Sequence, residues 1–233
     1  MTSVFVADTA AEAAATAAAR LRSAIEDARR ERGAAHVALA GGTTPRRTYQ
    51  LLAEDMDDWT GVEVWFGDER AVGPEDPESN YRMVSETLLA GDGGPVVHRI
   101  EGERGAEGAA AAYATALQAR VPIEEGVPVL DVALEGLGPD GHTASLFPGN
   151  PAVQAMGVCV AVHDAPKPPP DRITLTVPVL RAARSIVFLA TGSEKADAVR
   201  GLLGGPNPDL PASLLGGDRT ELIADRDAAP EAA

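Results

Sequence analysis

The chain has a single cysteine, Cys159, among 233 residues, and one thiol excludes an internal disulfide framework. It stands in the apolar run 158–162, which suits a buried structural thiol better than a nucleophile. Long apolar runs are missing: none approaches the ~20 residues of a membrane helix, and no basic start followed by an apolar segment opens the chain. A soluble, cytoplasmic protein with no membrane partner is expected. Metal-ligand spacing is also missing. There is no Cys-x-x-Cys and no His-Glu-x-x-His, and the four histidines, His36, His98, His142 and His163, are scattered. Positive charge is the scarce sign, with 20 Lys and Arg against 35 Asp and Glu and a formal net charge of -15. Most of such a surface repels a nucleic-acid duplex, so nucleic acid is not an expected partner. An anionic small molecule remains compatible, provided a few Arg and Lys side chains converge locally.

What is present is an alternation of strand and helix patterns. The apolar fraction of 45% is ordinary for a globular protein with a substantial core. Strands are expected at 3–6, 36–39, 62–66, 96–100, 129–134, 158–162, 185–190 and 220–224, the last as a closing edge strand. An alanine-rich helix, capped by Asp8 or Thr9, should run to about Arg32 and stop at Gly33. Further helices are expected from Pro45 to about Glu54, from Tyr81 to about Leu89 behind a Ser79-Asn80 cap, and over 105–120. Shorter ones should open at Pro178, near Lys195 and at Pro211. Residues 171–176 alternate with period two after a loop at 163–170 that carries four prolines. Residues 225–233 read as a frayed end. The whole is expected to be one α/β domain over 1–233, with a mostly parallel sheet and helices on both faces.

The chain is organised around residues 134–149. An apolar strand empties there into Gly136, Gly138, Pro139, Asp140, Gly141 and His142 and abandons every regular period. His142 can exchange a proton near neutral pH, and Asp140 could hold its ring in one tautomer or bind a substrate hydroxyl. A polar turn with an incidental histidine has the same letters. After the strand at 36–39, Ala40-Gly41-Gly42-Thr43-Thr44-Pro45 points free backbone N–H groups at an anion and adds two hydroxyls. This turn is neither Gly-x-Gly-x-x-Gly nor Walker A, so a nucleotide is not indicated, and an ordinary βα turn has the same pattern. The strand at 62–66 delivers Gly67-Asp68-Glu69-Arg70, a run of charge unsuited to a core. Arg70 has the fork geometry that fits phosphate, and Asp68 can accept bonds from sugar hydroxyls. Arg172 ends the proline loop, and Lys195 lies in a first helical turn, where the macrodipole disfavours a cation unless an anion is bound.

Taken together, these segments resemble the glucosamine-6-phosphate isomerase/6-phosphogluconolactonase family. The resemblance rests on Gly41 to Pro45, Phe66 to Arg70 with Ser79-Asn80-Tyr81, Gly136 to Gly149, Arg172 with Thr174, and Gly192 to Ala196, in that family's order over roughly 36–225. It implies a Rossmann-like, NagB-like fold and hydrolysis of 6-phospho-D-glucono-1,5-lactone to 6-phosphogluconate in the oxidative pentose phosphate pathway, with no metal, nucleotide or other cofactor. By the same resemblance His142 serves as the base, with Asp140 beside it. Gly41, Gly42, Thr43, Thr44, Arg70, Arg172 and Lys195 hold the 6-phosphate, and Asp68 and Asp140 share the reading of sugar hydroxyls and the orienting of the imidazole. No Gly-x-Ser-x-Gly elbow accompanies His142, and Ser145 reads as structural. Two positions depart from the lactonase pattern: Glu135 stands where an apolar or small residue is common, and Thr43 where serine is usual. The related deaminase/isomerase resembles Asp-Gly-His-Ile-Ala-Phe-Asn-Glu-Pro at this turn, and its glutamate falls here on Phe147. A non-catalytic sugar-phosphate sensor would need a DNA-binding appendage, for which a first strand at Ser3 leaves no room. A scaffolding role beside the dehydrogenase that makes the lactone is a third reading. A monomer is expected.

Overall fold

A computed structural model of the chain describes residues 1–91 and 93–229. The chain opens with strand β1 (Ser3–Ala7) and helix α1 (Ala10–Arg32). Thr9 caps the helix by accepting the Glu12 N–H, and Gly33 ends it in the left-handed conformation that a residue with a Cβ resists. Alanine lets the backbone of α1 lie close to its neighbours. Ala13, Ala17, Leu21, Ile25 and Ala28 form a buried stripe that packs against β1 and other strands of the main sheet.

After α1 come β2 (Ala35–Leu39), α2 (Arg46–Asp55), β3 (Val62–Phe66), β4 (Asp68–Arg70), α3 (Asn80–Ser85), β5 (Val96–Val97) and α4 (Ala106–Arg120). A hairpin of β6 (Ile123–Glu124) and β7 (Val127–Pro128) precedes β8 (Val132–Gly136), β9 (Cys159–Val162), β10 (Arg172–Leu175), α5 (Val177–Ala182), β11 (Ser185–Ala190), α6 (Ala196–Leu203) and β12 (Thr220–Asp225). Seven strands form one sheet in the order β1-β12-β11-β8-β2-β3-β5, and every neighbouring pair is parallel. The expected α/β class with a mostly parallel sheet is what the chain adopts. From β2 the chain builds outward through β3 to β5, and from β8 it builds the other way through β11 to β12, beyond which the first strand, β1, forms the edge. The direction reverses between β2 and β8, and a crevice at the carboxyl ends of such a pair is where open α/β sheets bind their ligands.

A second sheet, β4-β10-β9, is antiparallel and joins the end of β3. Leu175 N–H donates to Gly67 C=O at 2.8 Å, so this small sheet hangs from the residue that follows β3. α4 packs against it, and its Tyr113 hydroxyl receives the Phe66 N–H at 2.6 Å. At the opposite end of the main sheet, the buried carboxylate of Asp131, just before β8, accepts the His36 N–H at 2.7 Å and Arg32 Nε at 2.9 Å. Arg184 Nε lies 3.6 Å from it.

Several expectations need correction. Strand 220–224 is not an edge, because β12 lies between β1 and β11 and the edge is β1. Residues 225–229 are not frayed: Ala228 and Ala229 are buried, and Asp225 accepts the N–H groups of Gly192 and Ala228. Residues 230–233 of that expected tail lie outside the described residues. The helix after Ser79 ends at Ser85 rather than near Leu89, and only Val96–Val97 of the segment 96–100 pairs as a strand. The charged run at 68–70, expected outside the core, is strand β4, with Asp68 and Glu69 both buried.

Candidate active site

The turns that leave β2, β8 and β11, together with the small sheet, enclose a cleft of about 280 Å³ beside the reversal point. Gly41, Gly42, Thr43, Thr44, Asp68, Arg70, His142, Arg172 and Lys195 all line it. Asp140 does not line the cleft but meets it through His142, whose Nδ1 it contacts directly. Every substrate-binding position expected from the sequence is therefore on one surface, although those positions span more than 150 residues of chain.

The β8 turn is shaped for the imidazole. Gly138 N–H donates to His142 C=O at 2.8 Å, and Gly141 N–H donates to Gly138 C=O at 2.9 Å, closing a tight loop. A Cβ on Gly138 would stand 2.0 Å from His142 Nδ1, so only glycine lets the ring lie over that backbone. The letters Gly136-x-Gly138-x-x-Gly141 match a dinucleotide fingerprint, but no helix follows; Thr143 and Leu146 close a further turn instead. The Asp140 carboxylate only accepts, so its bond places the ring proton on Nδ1 and leaves Nε2 with the lone pair. Burial holds the His142 pKa below the usual 6.5, although the Asp140 bond and charge work the other way. The ring is thus neutral near pH 7, the form a general base requires. Burial raises Asp140, but its bond to His142 and the nearby charge prevail and leave it low. Phe147, at the place of the deaminase glutamate, packs its ring 4.7 Å from the imidazole. Arg172 lies 5.5 Å over the other partner, the Phe147 ring centroid.

The small sheet carries the arginines. Arg70 on β4 pairs directly with Arg172 on β10, and Asp68 with Thr174. Like charges opposite one another destabilise a strand pair, and here both line the cleft. Arg70 Nη1 donates to Glu78 C=O, and its Nε is buried without an acceptor among the described residues. Arg172 donates to the carbonyls of Lys167, Pro168 and Pro169 at 3.0 to 3.3 Å, which fixes the proline loop over the cleft. Burial lowers the pKa of Arg172, and the Arg70 charge adds to that. Lys195, at the junction between a 3-10 turn and α6, is likewise lowered by burial first, with the Lys167 charge also acting against its proton.

Lys167 lines the same cleft and was not among the residues expected from sequence. Its neighbours are all prolines, so the only available signal was a lone cation in a loop whose path the sequence does not give. Asn80 was expected only to start a helix. Its Nδ2 bonds both the carbonyl and the carboxylate of Asp68 at 2.9 Å, and its side chain fills the space over Gly41 that a Cβ would need. Asp68 is more constrained than a free reader of hydroxyls: Asn80 holds Oδ1, and the buried Ser145 hydroxyl donates to Oδ2 at 2.5 Å. Ser145 is thereby a structural donor. Glu69 accepts the N–H groups of Arg70, Asn80 and Tyr81 and the Ser79 hydroxyl, so it fixes β4 to the start of α3 rather than facing the cleft. Cys159 is buried, and burial pushes its thiol up to about 12, far from a nucleophile. Among the described residues, no cluster of three His, Cys, Asp or Glu side chains could hold a metal ion. No helix among them is long and apolar enough to cross a membrane.

Comparison with known proteins gives the same picture. Residues 8–224 match the family model described as glucosamine-6-phosphate isomerases/6-phosphogluconolactonase. The 6-phosphogluconolactonase of Streptomyces coelicolor is 43% identical over 208 residues, 82% of this chain and 79% of that protein. The structure of 6-phosphogluconolactonase from Trypanosoma brucei superposes with a TM-score of 0.88 at 30% identity, covering 100% of this chain and 99% of that one. A monomeric glucosamine-6-phosphate deaminase of the NagB superfamily shares the fold, with a TM-score of 0.82 at 23% identity over 97% of this chain and 98% of its own. The chain belongs to the glucosamine-6-phosphate isomerase/6-phosphogluconolactonase family.

Proposed function

We propose that the chain is a 6-phosphogluconolactonase that works as a single domain, hydrolysing 6-phospho-D-glucono-1,5-lactone to 6-phospho-D-gluconate in the oxidative pentose phosphate pathway. The observation that carries this reading is the convergence of Arg70, Lys167, Arg172 and Lys195 on the cleft that holds His142, in a protein whose net charge is -15. A phosphate held by those cations and by the Gly41 to Thr44 turn would bring the lactone carbonyl to the imidazole, which is the positional part of the rate.

In the mechanism we infer, His142 Nε2 takes a proton from water as the water oxygen adds to the acyl carbon. The carbonyl electrons move onto oxygen, and the cationic cleft opposes the charge that develops there. The tetrahedral adduct then collapses, the bond to the ring oxygen breaks, and that oxygen takes the proton from His142. The products are a carboxylic acid, which ionises, and a free hydroxyl. Asp140 holds the ring and stabilises the transient imidazolium, while Asp68, Asn80 and Ser145 form a fixed polar wall. We read the working unit as a cytoplasmic monomer with no nucleic-acid partner, in keeping with its acidic surface.

Deamination of glucosamine 6-phosphate is the competing activity, and Phe147 weighs against it because a phenyl ring cannot move protons. The test follows loss of the lactone at slightly acid pH, where its spontaneous hydrolysis is slower, alongside ammonia release from glucosamine 6-phosphate. Acceleration of the first with none of the second is expected. Ammonia release without lactone hydrolysis would overturn the assignment.

A further inference from the structure

Glu135 is a buried acid beside the cleft for which the mechanism above has no use. It ends the buried run of β8 and is 1% exposed. Its Oε2 accepts the hydroxyl of Thr143, the residue after His142, at 2.7 Å. Its Oε1 is buried with no hydrogen-bond partner among the described residues, and a Cβ placed on Gly67 would stand 3.1 Å from that atom. One side chain thus spans three parts of the site: the end of β8, the Gly67 junction from which the small sheet hangs, and the turn that bears His142.

We propose that Glu135 is a positioning residue that, in its uncharged form, locks the His142 turn onto the end of β8. A buried carboxylate with one hydrogen bond and one bare oxygen is a costly species, whereas the carboxylic acid is tolerated. The titratable groups facing it are the Asp68 carboxylate from β4 and the Tyr49 phenol from α2. Tyr49 donates its own proton to Ala40 C=O at 2.7 Å, so it offers Glu135 no donor. Burial is the main reason the acid holds its proton up to about pH 8, and the Asp68 charge adds to it while the Thr143 bond opposes it. Above that point a new negative charge forms beside Asp68, beneath a cleft built for an anion. The His142 turn and the grip on phosphate should then both loosen.

The test compares wild type with Glu135→Gln, which keeps an acceptor for Thr143 and cannot ionise, and with Glu135→Leu, which keeps only bulk. Affinity for 6-phosphogluconate, measured by calorimetry, should fall in wild type as pH passes about 8 and should not show that fall in the Gln variant. A decline that persists unchanged in the Gln variant would belong to another group and would overturn the assignment. Near neutral pH the Gln variant should retain kcat, whereas the Leu variant should lose ~10–100-fold, the scale of a displaced catalytic group. Wild-type kcat in the Leu variant would also overturn it, and if that variant fails to fold the Gln comparison decides alone.

Melting curves give a readout independent of activity. The native pKa is raised above the unfolded value, so the stability Glu135 contributes is full below 4.5 and is lost as pH rises toward about 8. The Gln variant should therefore gain on wild type across that window, and parallel curves would refute the proposal. Because the role rests on the lactonase reading, an inactive wild type would sink that reading, while the melting comparison would still decide the state of Glu135.

Discussion

Strand β8 has a buried acid near each end, and the two are treated very differently. Asp131, at the N-terminal end, is matched by Arg32, Arg184 and the His36 N–H. Glu135, at the C-terminal end, has one hydroxyl and an empty oxygen. A polar group buried with full partners holds a fold together. One left short of partners persists only where the surroundings enforce it, and such places cluster at functional sites. The contrast extends beyond the two acids. The Asp131 end carries opposite charges in contact, whereas the other end carries Arg70 against Arg172 and Lys167 near Lys195, each like beside like.

If that division holds, substitutions at the two ends should separate activity from stability. The largest effect is expected for His142→Ala, which should lower kcat by ~10²–10⁴-fold, the usual contribution of a positioned acid-base group, and leave the melting temperature near that of wild type. In the wild type, the acid limb of kcat/KM should fall below pH 6.5, because burial depresses the imidazole. Steady-state kinetics across pH with the spontaneous rate subtracted checks both, and unchanged kcat in the variant would remove His142 from the chemistry. Next comes Arg70→Ala, which should act mainly on KM, raising it ~10- to 100-fold, equivalent to about 1.4–2.8 kcal/mol of lost binding. Undiminished affinity for the phosphorylated product would break the anion-binding half of the comparison. The mildest effect on catalysis is expected for Asp131→Ala. It should cost about 1.5–3 kcal/mol in urea unfolding, the range for hydrogen bonds to a charged group, with kcat unchanged. A loss of activity without a loss of stability would invert the assignment of the two ends.

The parts of this molecule that could be read from its sequence are those encoded locally. An apolar strand followed by glycines and a proline is a statement about neighbouring residues, so the β2 and β8 turns and their place at strand ends were legible. The small antiparallel sheet was not. Arg70 and Arg172 are far apart in the chain, and nothing in Asp68-Glu69-Arg70 alone says that it will pair with residues after a proline loop. For the same reason Glu69, whose partners lie ten to twelve residues ahead, looked like a solvent-facing charge rather than a buried clasp. Lys167 was missed because its direction depends on Arg172 holding three carbonyls of the loop. Glu135 was conspicuous by its letter, but its bond to Thr143 requires a turn whose closure only coordinates reveal. The end of β12 was misjudged because its anchor, the Gly192 N–H, belongs to the turn after another strand.

Two arginines facing each other across a strand pair repel, and on the proposed function a bound anion relieves that repulsion. Any divalent oxyanion in solution has a reason to settle between them, whether or not it carries a sugar. On the proposed function, buffers for purification and kinetics are therefore best chosen without phosphate or sulfate, since on that reading these would both firm up the fold and stand in the way of the lactone.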